Sequence, residues 1–207
     1  MTKKQKTIVS AVAAIVLVAA VALTLILLLG GRTGGTLHLE SRGLDFTLTR
    51  ESLTTHDLDE SGKLASAKND KKTDFTASTK ENVFGVTGNT VIVPGSRFSA
   101  DLVIANKSEN AQPFSYWLEI RLSGEINELA RQLKVTVTPE GLAPQTFSLS
   151  EGLVLGGERN PLAIVRGKQS SSFTVKVEFP EDQLINDGAQ KETVLFDLIV
   201  YAAAYAE

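Results

Sequence analysis

The sequence has no cysteine among its 207 residues, and it has only two histidines. A chain without thiols forms no disulfide and offers neither a cysteine nucleophile nor a thiolate ligand for zinc. His38 and His56 stand 18 positions apart, and neither belongs to an H-E-x-x-H zinc motif. The G-x-S-x-G elbow of hydrolases and the G-x-x-x-x-G-K-[ST] phosphate loop are missing too. These absences predict a protein that is not an enzyme and that holds no cofactor or metal.

Basic residues are scarce beyond the first six positions. The chain contains 21 Lys and Arg residues against 24 Asp and Glu residues. Three of the basic residues are Lys3, Lys4 and Lys6, which leaves 18 basic against 24 acidic residues in the rest of the chain, a formal charge of −6. Such a surface lacks the cationic stripe that a phosphate backbone requires, so nucleic acid is excluded as a partner.

One long apolar run is present, between Lys6 and Arg32. Its 25 residues, 7–31, carry no charge and are mainly Ala, Val, Leu and Ile. As a helix rising about 1.5 Å per residue, the run would reach roughly 37 Å, enough to cross a hydrocarbon core of about 30 Å with some tilt. The lysines before it predict a cytoplasmic segment over residues 1–6 and an extracytoplasmic domain over residues 32–207. The sequence therefore predicts a single-pass anchor in the cell membrane.

A cleaved secretory signal is the alternative reading of the same run. Secretory signals have an apolar core of about 7 to 15 residues followed by a small-x-small cleavage site. The run here is longer, and its Ala-x-Ala patterns, such as residues 20–22, lie inside it. An uncleaved anchor is therefore favoured, whereas cleavage would make the protein secreted.

Alternation of apolar and polar residues predicts strands over most of residues 32–207. The pattern is clearest over 114–122, and it recurs over 98–104 and 173–179. The last segment, 192–205, is largely apolar on both faces, which predicts a strand at the centre of a sheet. About eight to ten short strands separated by turn residues predict an all-β fold, an antiparallel β-sandwich or jelly roll.

Local signals predict the turns and one helix. Pro94-Gly95 fits the two central positions of a type II turn, and Pro139-Glu140-Gly141 marks another reversal. After Ser123, a predicted N-cap, apolar residues recur at helical spacing and predict one short helix with a buried stripe. The members of that stripe are Ile126, Leu129, Ala130 and Leu133.

Residues 51–81 contain many charges and few large apolar side chains, which predicts a long exposed polar loop. Within it, Asp57, Asp59, Ser61 and Gly62 match positions one, three, five and six of a calcium loop. Position twelve is Lys68 instead of the bidentate glutamate that the ion requires. A solvated loop without calcium is therefore the default interpretation.

Two further positions have both a functional and a structural interpretation. Trp117 falls on the polar side of its predicted strand, where it could anchor a partner or could be covered by a loop or the helix. Asn106-Lys107-Ser108 has the form of a glycosylation sequon, but we interpret it as part of a turn.

Several segments together resemble the TasA and camelysin family of bacterial surface and biofilm-matrix proteins. They are Gly35-Thr36-Leu37-His38-Leu39 after the apolar run, the stretch VIVPGSRFSADLVIANKSENAQPFSYWLEI, and the closing FDLIVYAAAYAE. The resemblance implies an exported jelly-roll domain that, in some family members, assembles into fibres by donating a strand to the next subunit. It implies no catalytic residues. The longer apolar run and the insertion at 51–81 depart from the family pattern.

The resulting expectation is a membrane-tethered, non-enzymatic structural or assembly protein of the bacterial cell surface. Its partners would be the membrane, through residues 7–31, and further copies of itself or other surface proteins. Strand exchange over 36–40 and 44–49 would place Leu37, Leu39 and Phe46 in the contact between copies. The alternatives are that these strands pair within their own domain, and that the domain is an extracellular binding module for a peptide, glycan or cell-wall polymer, held through Trp117 or the 51–81 loop.

Overall fold

Two β-sheets stacked on one hydrophobic core form the fold in the computed structural model. The model describes residues 31–40, 44, 46–59, 61–75, 83–84, 91–107, 112–181, 189 and 192–205, with backbone alone for 31–40 and 91. An all-β sandwich of mostly antiparallel strands, expected from the alternating pattern, is confirmed.

The first sheet, sheet A, has the path β10-β7-β13-β1-β5, with β11 also paired to β7. Its strands are β1 (Gly31–Glu40), β5 (Val91–Ile92), β7 (Phe114–Leu122), β10 (Leu153–Leu155), β11 (Ala163–Val165) and β13 (Thr193–Ala204). The last strand, β13, lies between β7 and β1, so its predicted central position is confirmed.

The second sheet, sheet B, has the path β3-β2-β6-β12-β8-β9, with β4 also paired to β2. Its strands are β2 (Phe46–Leu58), β3 (Leu64–Asn69), β4 (Thr73–Phe75), β6 (Arg97–Asn106), β8 (Lys134–Pro139), β9 (Gln145–Ser148) and β12 (Ser170–Glu178). All pairings of sheet B among the described residues are antiparallel.

The core lies between the sheets and is built from the apolar half of each alternating strand. Tyr116, Leu118 and Ile120 of β7 face Leu102 of β6 and Phe173 of β12 in this buried cluster. Tyr116 is the one polar-tipped side chain among the largest buried ones, and its hydroxyl lies 3.0 Å from Ser171 Oγ of sheet B. The two layers are therefore joined by a partly buried hydrogen bond as well as by apolar contact.

The first strand pairs with the last in parallel, which the sequence pattern did not predict. β1 runs beside β13 with Arg32 opposite Thr193 and Glu40 opposite Tyr201. On its other side β5 covers only Gly31 and Arg32. Parallel strands cannot be joined by a tight hairpin and need a long connection. Here the connection is residues 41–192, which contain all the other described strands of both sheets.

The predicted short helix is present, but it begins later than expected. Helix α1 (Glu128–Gln132) is capped by Asn127, whose Oδ1 accepts a hydrogen bond from the Ala130 backbone N–H at 2.9 Å. The predicted cap, Ser123, is wrong, because Ser123 still lies at the end of β7, where its backbone N–H donates to the Leu195 carbonyl, and the helix begins only after Asn127. Leu129, Ala130 and Leu133 are buried as predicted, whereas Ile126 precedes the helix and is 55% exposed.

The interpretation of residues 51–81 as one long loop is wrong for its described part. Residues 51–58 continue β2, and β3 and β4 return antiparallel beside it. A bulge between Arg50 and Ser52 shifts the register of β2 against β6. The bulge explains how Leu48 and Leu53, five positions apart, both reach the core. The polarity of this region reflects β3, an edge strand whose side chains are mostly exposed.

The predicted turns are confirmed where the structure describes them. Ser96 N–H donates to the Val93 carbonyl at 2.9 Å, which closes the turn at Pro94-Gly95, and Gly95 has φ +92°. The positive φ favours glycine there, whereas the nearest atoms to an added Cβ belong to the ends of the Glu181 and Leu64 side chains, which could move aside.

Nearly all of the predicted membrane anchor lies outside the described residues. Residues 7–30 have no described structure, and Gly31, the last residue of the apolar run, is already the first residue of β1. Across the part of the chain that is described, no helix has the length and apolar character needed to cross a membrane.

Candidate functional surfaces

Trp117 forms an aromatic platform on the outer face of sheet A. Its ring is stacked on that of Tyr201, the residue opposite it on β13, with centroids 5.3 Å apart and an interplanar angle of 10°. Trp117 is half-buried, and Gly156, in the loop after β10, lies close enough that an added Cβ there would be 3.2 Å from Trp117 Cβ. The structure thus puts Trp117 on the predicted polar side of its strand, with a loop covering part of it.

Charged side chains surround this platform. The Tyr201 hydroxyl donates to Glu119 Oε2 at 2.5 Å, and the Arg121 guanidinium lies 3.5 Å from Asp197. Val154, opposite Glu119 on β10, is 61% exposed. An apolar ring surface beside carboxylates that accept hydrogen bonds is an arrangement that suits a sugar or a peptide side chain.

The other predicted contact residues lie on the first two strands, Leu37 and Leu39 on β1 and the half-buried Phe46 at the start of β2. Leu37 is opposite Leu198 and Leu39 is opposite Val200 in the β1–β13 register. Both partners are buried in the core. Phe46 packs on Phe114 with ring centroids 5.3 Å apart, so contact within the domain already accounts for its apolar side chain.

The candidate calcium ligands do not converge. Asp59 Oδ1 accepts hydrogen bonds from the backbone N–H groups of Ser61 and Lys63, at 2.8 and 3.0 Å, and thereby shapes the turn between β2 and β3. Asp57 is turned toward Ser96, whose hydroxyl donates to its Oδ1 at 2.8 Å. Within the described ranges no group of three acidic or histidine side chains could hold a metal ion.

Burial shifts the pKa of the Asp57 carboxyl group. Burial raises its pKa above the ordinary value of 3.8, and hydrogen bonds from the Leu58 backbone and from Ser96, together with His56, oppose that shift. The burial arises because Ser96, 1% exposed, lies at the start of β6 against the end of β2.

The sequon asparagine ends β6 and lies inside the domain. Asn106 is 2% exposed, and its Nδ2 donates to the carbonyls of Gln112 and Val165 at 3.1 and 3.4 Å. Its amide nitrogen is therefore engaged in the folded protein and is not presented for glycosylation. Asn106 is the last residue of β6, so its interpretation as a turn residue is wrong.

The outer face of sheet B carries a groove that the sequence did not predict. Its volume is about 290 Å³, and it is lined by Thr54, His56, Ser66, Arg97, Ser99 and Lys176. These residues come from β2, β3, β6 and β12, which are separated by up to 122 positions in the chain. No spacing in the sequence predicts that these residues lie together, because the strand register alone brings them to one surface.

Comparisons of this chain with protein-family models and with curated proteins give no match.

Proposed function

We propose that this chain is a membrane-tethered, non-enzymatic structural protein of the cell surface, which assembles with further copies of itself. The apolar run 7–31 would be an uncleaved anchor, with residues 1–6 in the cytoplasm and the sandwich outside. The jelly-roll connectivity and the resemblance to the TasA and camelysin family belong to the same proposal, and the two-sheet architecture is compatible with both.

The position of β1 is the observation that carries this proposal. It begins at Gly31, where the apolar run ends, and it pairs with β13 through the nine positions from Arg32 to Glu40. If β1 leaves, the long inner edge of β13 is exposed, and an open strand edge is a template for a strand from another chain. Among the described residues, β5 pairs with only two residues of β1, so the described pairing that opposes the exchange on that side is short.

Engineered cysteines test the exchange, since the chain has none of its own. Thr36 is opposite Asp197 in the register. Neighbouring strands lie about 4.8 Å apart, a Cα separation that a disulfide spans. A full-length Thr36→Cys chain mixed with an Asp197→Cys chain should give covalent dimers upon oxidation. The doubly substituted chain should give an internal disulfide that blocks further assembly.

Two matched controls accompany the mixture. Each single variant alone reports dimers that form without exchange, and Thr36→Cys mixed with Thr146→Cys tests a position on β9 of the other sheet. Dimers that appear equally in all mixtures, or in none while the double variant closes internally, would show that β1 stays in its own domain.

The Trp117–Tyr201 stack favours a second candidate function, a binding module for a glycan or peptide. The half-exposed platform beside Glu119 supplies both ring surface and hydrogen-bond acceptors. Binding of cell-wall polymer by the full-length chain should disappear in Trp117→Ala and persist in a Leu142→Ala control, which alters an exposed apolar residue in the turn between β8 and β9, with the circular dichroism spectrum unchanged in both. Equal retention in the two variants would eliminate this platform as the binding site.

A further inference from the structure

The groove on the outer face of sheet B brings charged and hydroxyl side chains together through strand register. One row across the strands runs from Ser66 through His56 to Arg97. The next row runs from Thr54 through Ser99 to Lys176. All six side chains project from the same face, because residues two apart on a strand share a face.

The charge in the groove is cationic and partly uncompensated. Lys176 is paired with Glu178 on its own strand. The exposed Arg97 guanidinium has no hydrogen bond or ion pair with any described residue. An arginine of this kind retains all five N–H donors for a ligand, and its planar fork matches a carboxylate or a phosphate.

The remaining groups supply hydrogen bonds around that charge. His56 Nδ1 lies 2.9 Å from Ser66 Oγ, which fixes the imidazole and leaves Nε2 for another contact. The hydroxyls of Thr54 and Ser99 have no hydrogen-bond partner among the described residues. Hydroxyls and an imidazole beside a guanidinium can bind a group that combines an oxyanion with several hydroxyls.

From this arrangement we propose that the groove binds the carboxylate or phosphate group of an acidic sugar. Arg97 would hold the oxyanion, with Lys176 as a second cation, and Thr54, Ser99 and His56 would contact the sugar hydroxyls. A volume of about 290 Å³ lies at the lower end of the sizes of ligand pockets, which suits one sugar residue. The inference is independent of β1 exchange and of the membrane orientation.

The contacts of Arg97 argue against a purely structural role for this residue. Its neighbours across the sheet are His56 and Glu178, yet its guanidinium makes no ion pair with Glu178, whose carboxylate is bonded to Lys176. Outside residues 1–6 the chain has a formal charge of −6. An acidic ligand would therefore be repelled by most of the surface and attracted at this groove, which favours binding at one place.

Titration of the full-length chain in nonionic detergent with three small probes tests the proposal. The probes are D-glucuronate, glucose 1-phosphate and uncharged glucose, measured by calorimetry up to about 10 mM so that weak single-site binding is visible. We expect one or both anions to bind and glucose to bind at least tenfold more weakly, in keeping with the strength of charge-assisted hydrogen bonds, about a factor of ten or more. The comparison of the two anions decides between carboxylate and phosphate.

Substitutions separate the groove from general electrostatics. Arg97→Gln should weaken anion binding about tenfold or more, and Lys176→Gln should weaken it less, since Lys176 already has a partner. Lys134→Gln removes the same charge from an exposed residue one strand further along, opposite Glu178, and should change the affinity less than about twofold.

Any of three results would overturn the proposal. They are the absence of anion binding by the unaltered chain, binding of glucose as strong as that of the anions, and equal losses in Arg97→Gln and Lys134→Gln. Thermal unfolding of each variant shows that the fold is retained, because both substituted residues are exposed.

Discussion

The two sheets of this sandwich differ in how their outer faces meet the surroundings. On sheet A, Ile199 and Ala203 of β13 point away from the core and are still only 3% and 5% exposed. On sheet B, the outward positions of β2, β6 and β12 include hydroxyls, charges and His56, together with the half-buried Val103 and Ala105. The outer face of sheet A is thus covered at Ile199 and Ala203, although Leu195 of the same strand is 48% exposed, whereas the outer face of sheet B is in contact with solvent.

The outer faces of sheet A and sheet B therefore differ in what they contribute to the protein. A strand that is apolar on both sides, such as β13, gains stability from neighbours on each side and from the strand β1 beside it. A polar outer face contributes little to stability, so its residue types are available for contact with ligands. Substitutions on the two outer faces test this difference.

Outward-facing apolar residues should differ most between the sheets. Ile199→Ala on sheet A should lower the free energy of unfolding by about 3 kcal/mol, because it removes a buried side chain and leaves a cavity. Val103→Ala on the outer face of sheet B should cost less than about 1 kcal/mol, because that residue is already partly solvated. Denaturant unfolding of the two variants measures both values, and equal costs would show that the outer faces are alike.

Removing the hydrogen bond between Tyr116 and Ser171, which links the two sheets, should lower the free energy of unfolding by an intermediate amount. Tyr116→Phe removes a hydroxyl that lies 3.0 Å from Ser171 Oγ but leaves the packing against Phe173 intact. We expect a loss of about 1 kcal/mol in unfolding free energy, the usual net worth of such a hydrogen bond. If the double variant Tyr116→Phe with Ser171→Ala loses the sum of the two single effects, the hydroxyls are not coupled and the link is disproved.

A smaller and pH-dependent effect is expected at Asp57. Because burial raises its pKa above 3.8, the folded state binds the proton more tightly than the unfolded state, so this group favours folding at low pH and opposes it as pH rises through the shifted pKa. Asp57→Asn keeps an oxygen for the Ser96 hydroxyl and removes the buried charge. The variant should therefore be slightly more stable than the parent at neutral pH.

The pH dependence provides the control for that substitution. The advantage of Asp57→Asn should disappear as the pH falls below 3.8, where the carboxyl is protonated in both states. Thermal unfolding across the acid range measures it. An advantage that is constant with pH would mean that the burial of charge is not its cause.

The smallest effect on stability is expected in the groove. Arg97→Gln should change the free energy of unfolding by less than about 0.5 kcal/mol, since the guanidinium is exposed and has no partner among the described residues. A loss of more than about 2 kcal/mol in the free energy of unfolding would show that Arg97 supports the fold. The outer face of sheet B would then contribute to stability as that of sheet A does.

The strands of the core could be predicted from sequence because their alternation is uninterrupted. The predicted segment 114–122 coincides with β7, and 98–104 lies within β6. Residues 51–58 were misjudged because the bulge after Arg50 breaks the period of two, so that Leu48 and Leu53 appear to belong to opposite faces. The helix boundary was wrong because Ser123 and Asn127 are both good cap residues, and the local sequence does not reveal that residues 123–127 stay outside the helix.

The surfaces were less predictable than the strands. Trp117 could be assigned to the polar face of its strand from alternation, but its partner Tyr201 is brought beside it only by the pairing of β7 with β13. Arg97 and Lys176 are 79 positions apart and meet through the pairing of β6 with β12. Long-range register is set by the whole core, which no local pattern encodes.

The most direct test of the account is the side of the membrane on which the sandwich lies. Ala143 is exposed in the turn between β8 and β9. On intact cells, a membrane-impermeant maleimide should label an Ala143→Cys chain, and should label a Thr2→Cys chain only after lysis, with both products migrating as the full 22.2 kDa chain. Labelling of Thr2→Cys on intact cells with Ala143→Cys protected, or a shorter labelled product in the medium, would contradict the proposed tethered, outward-facing domain.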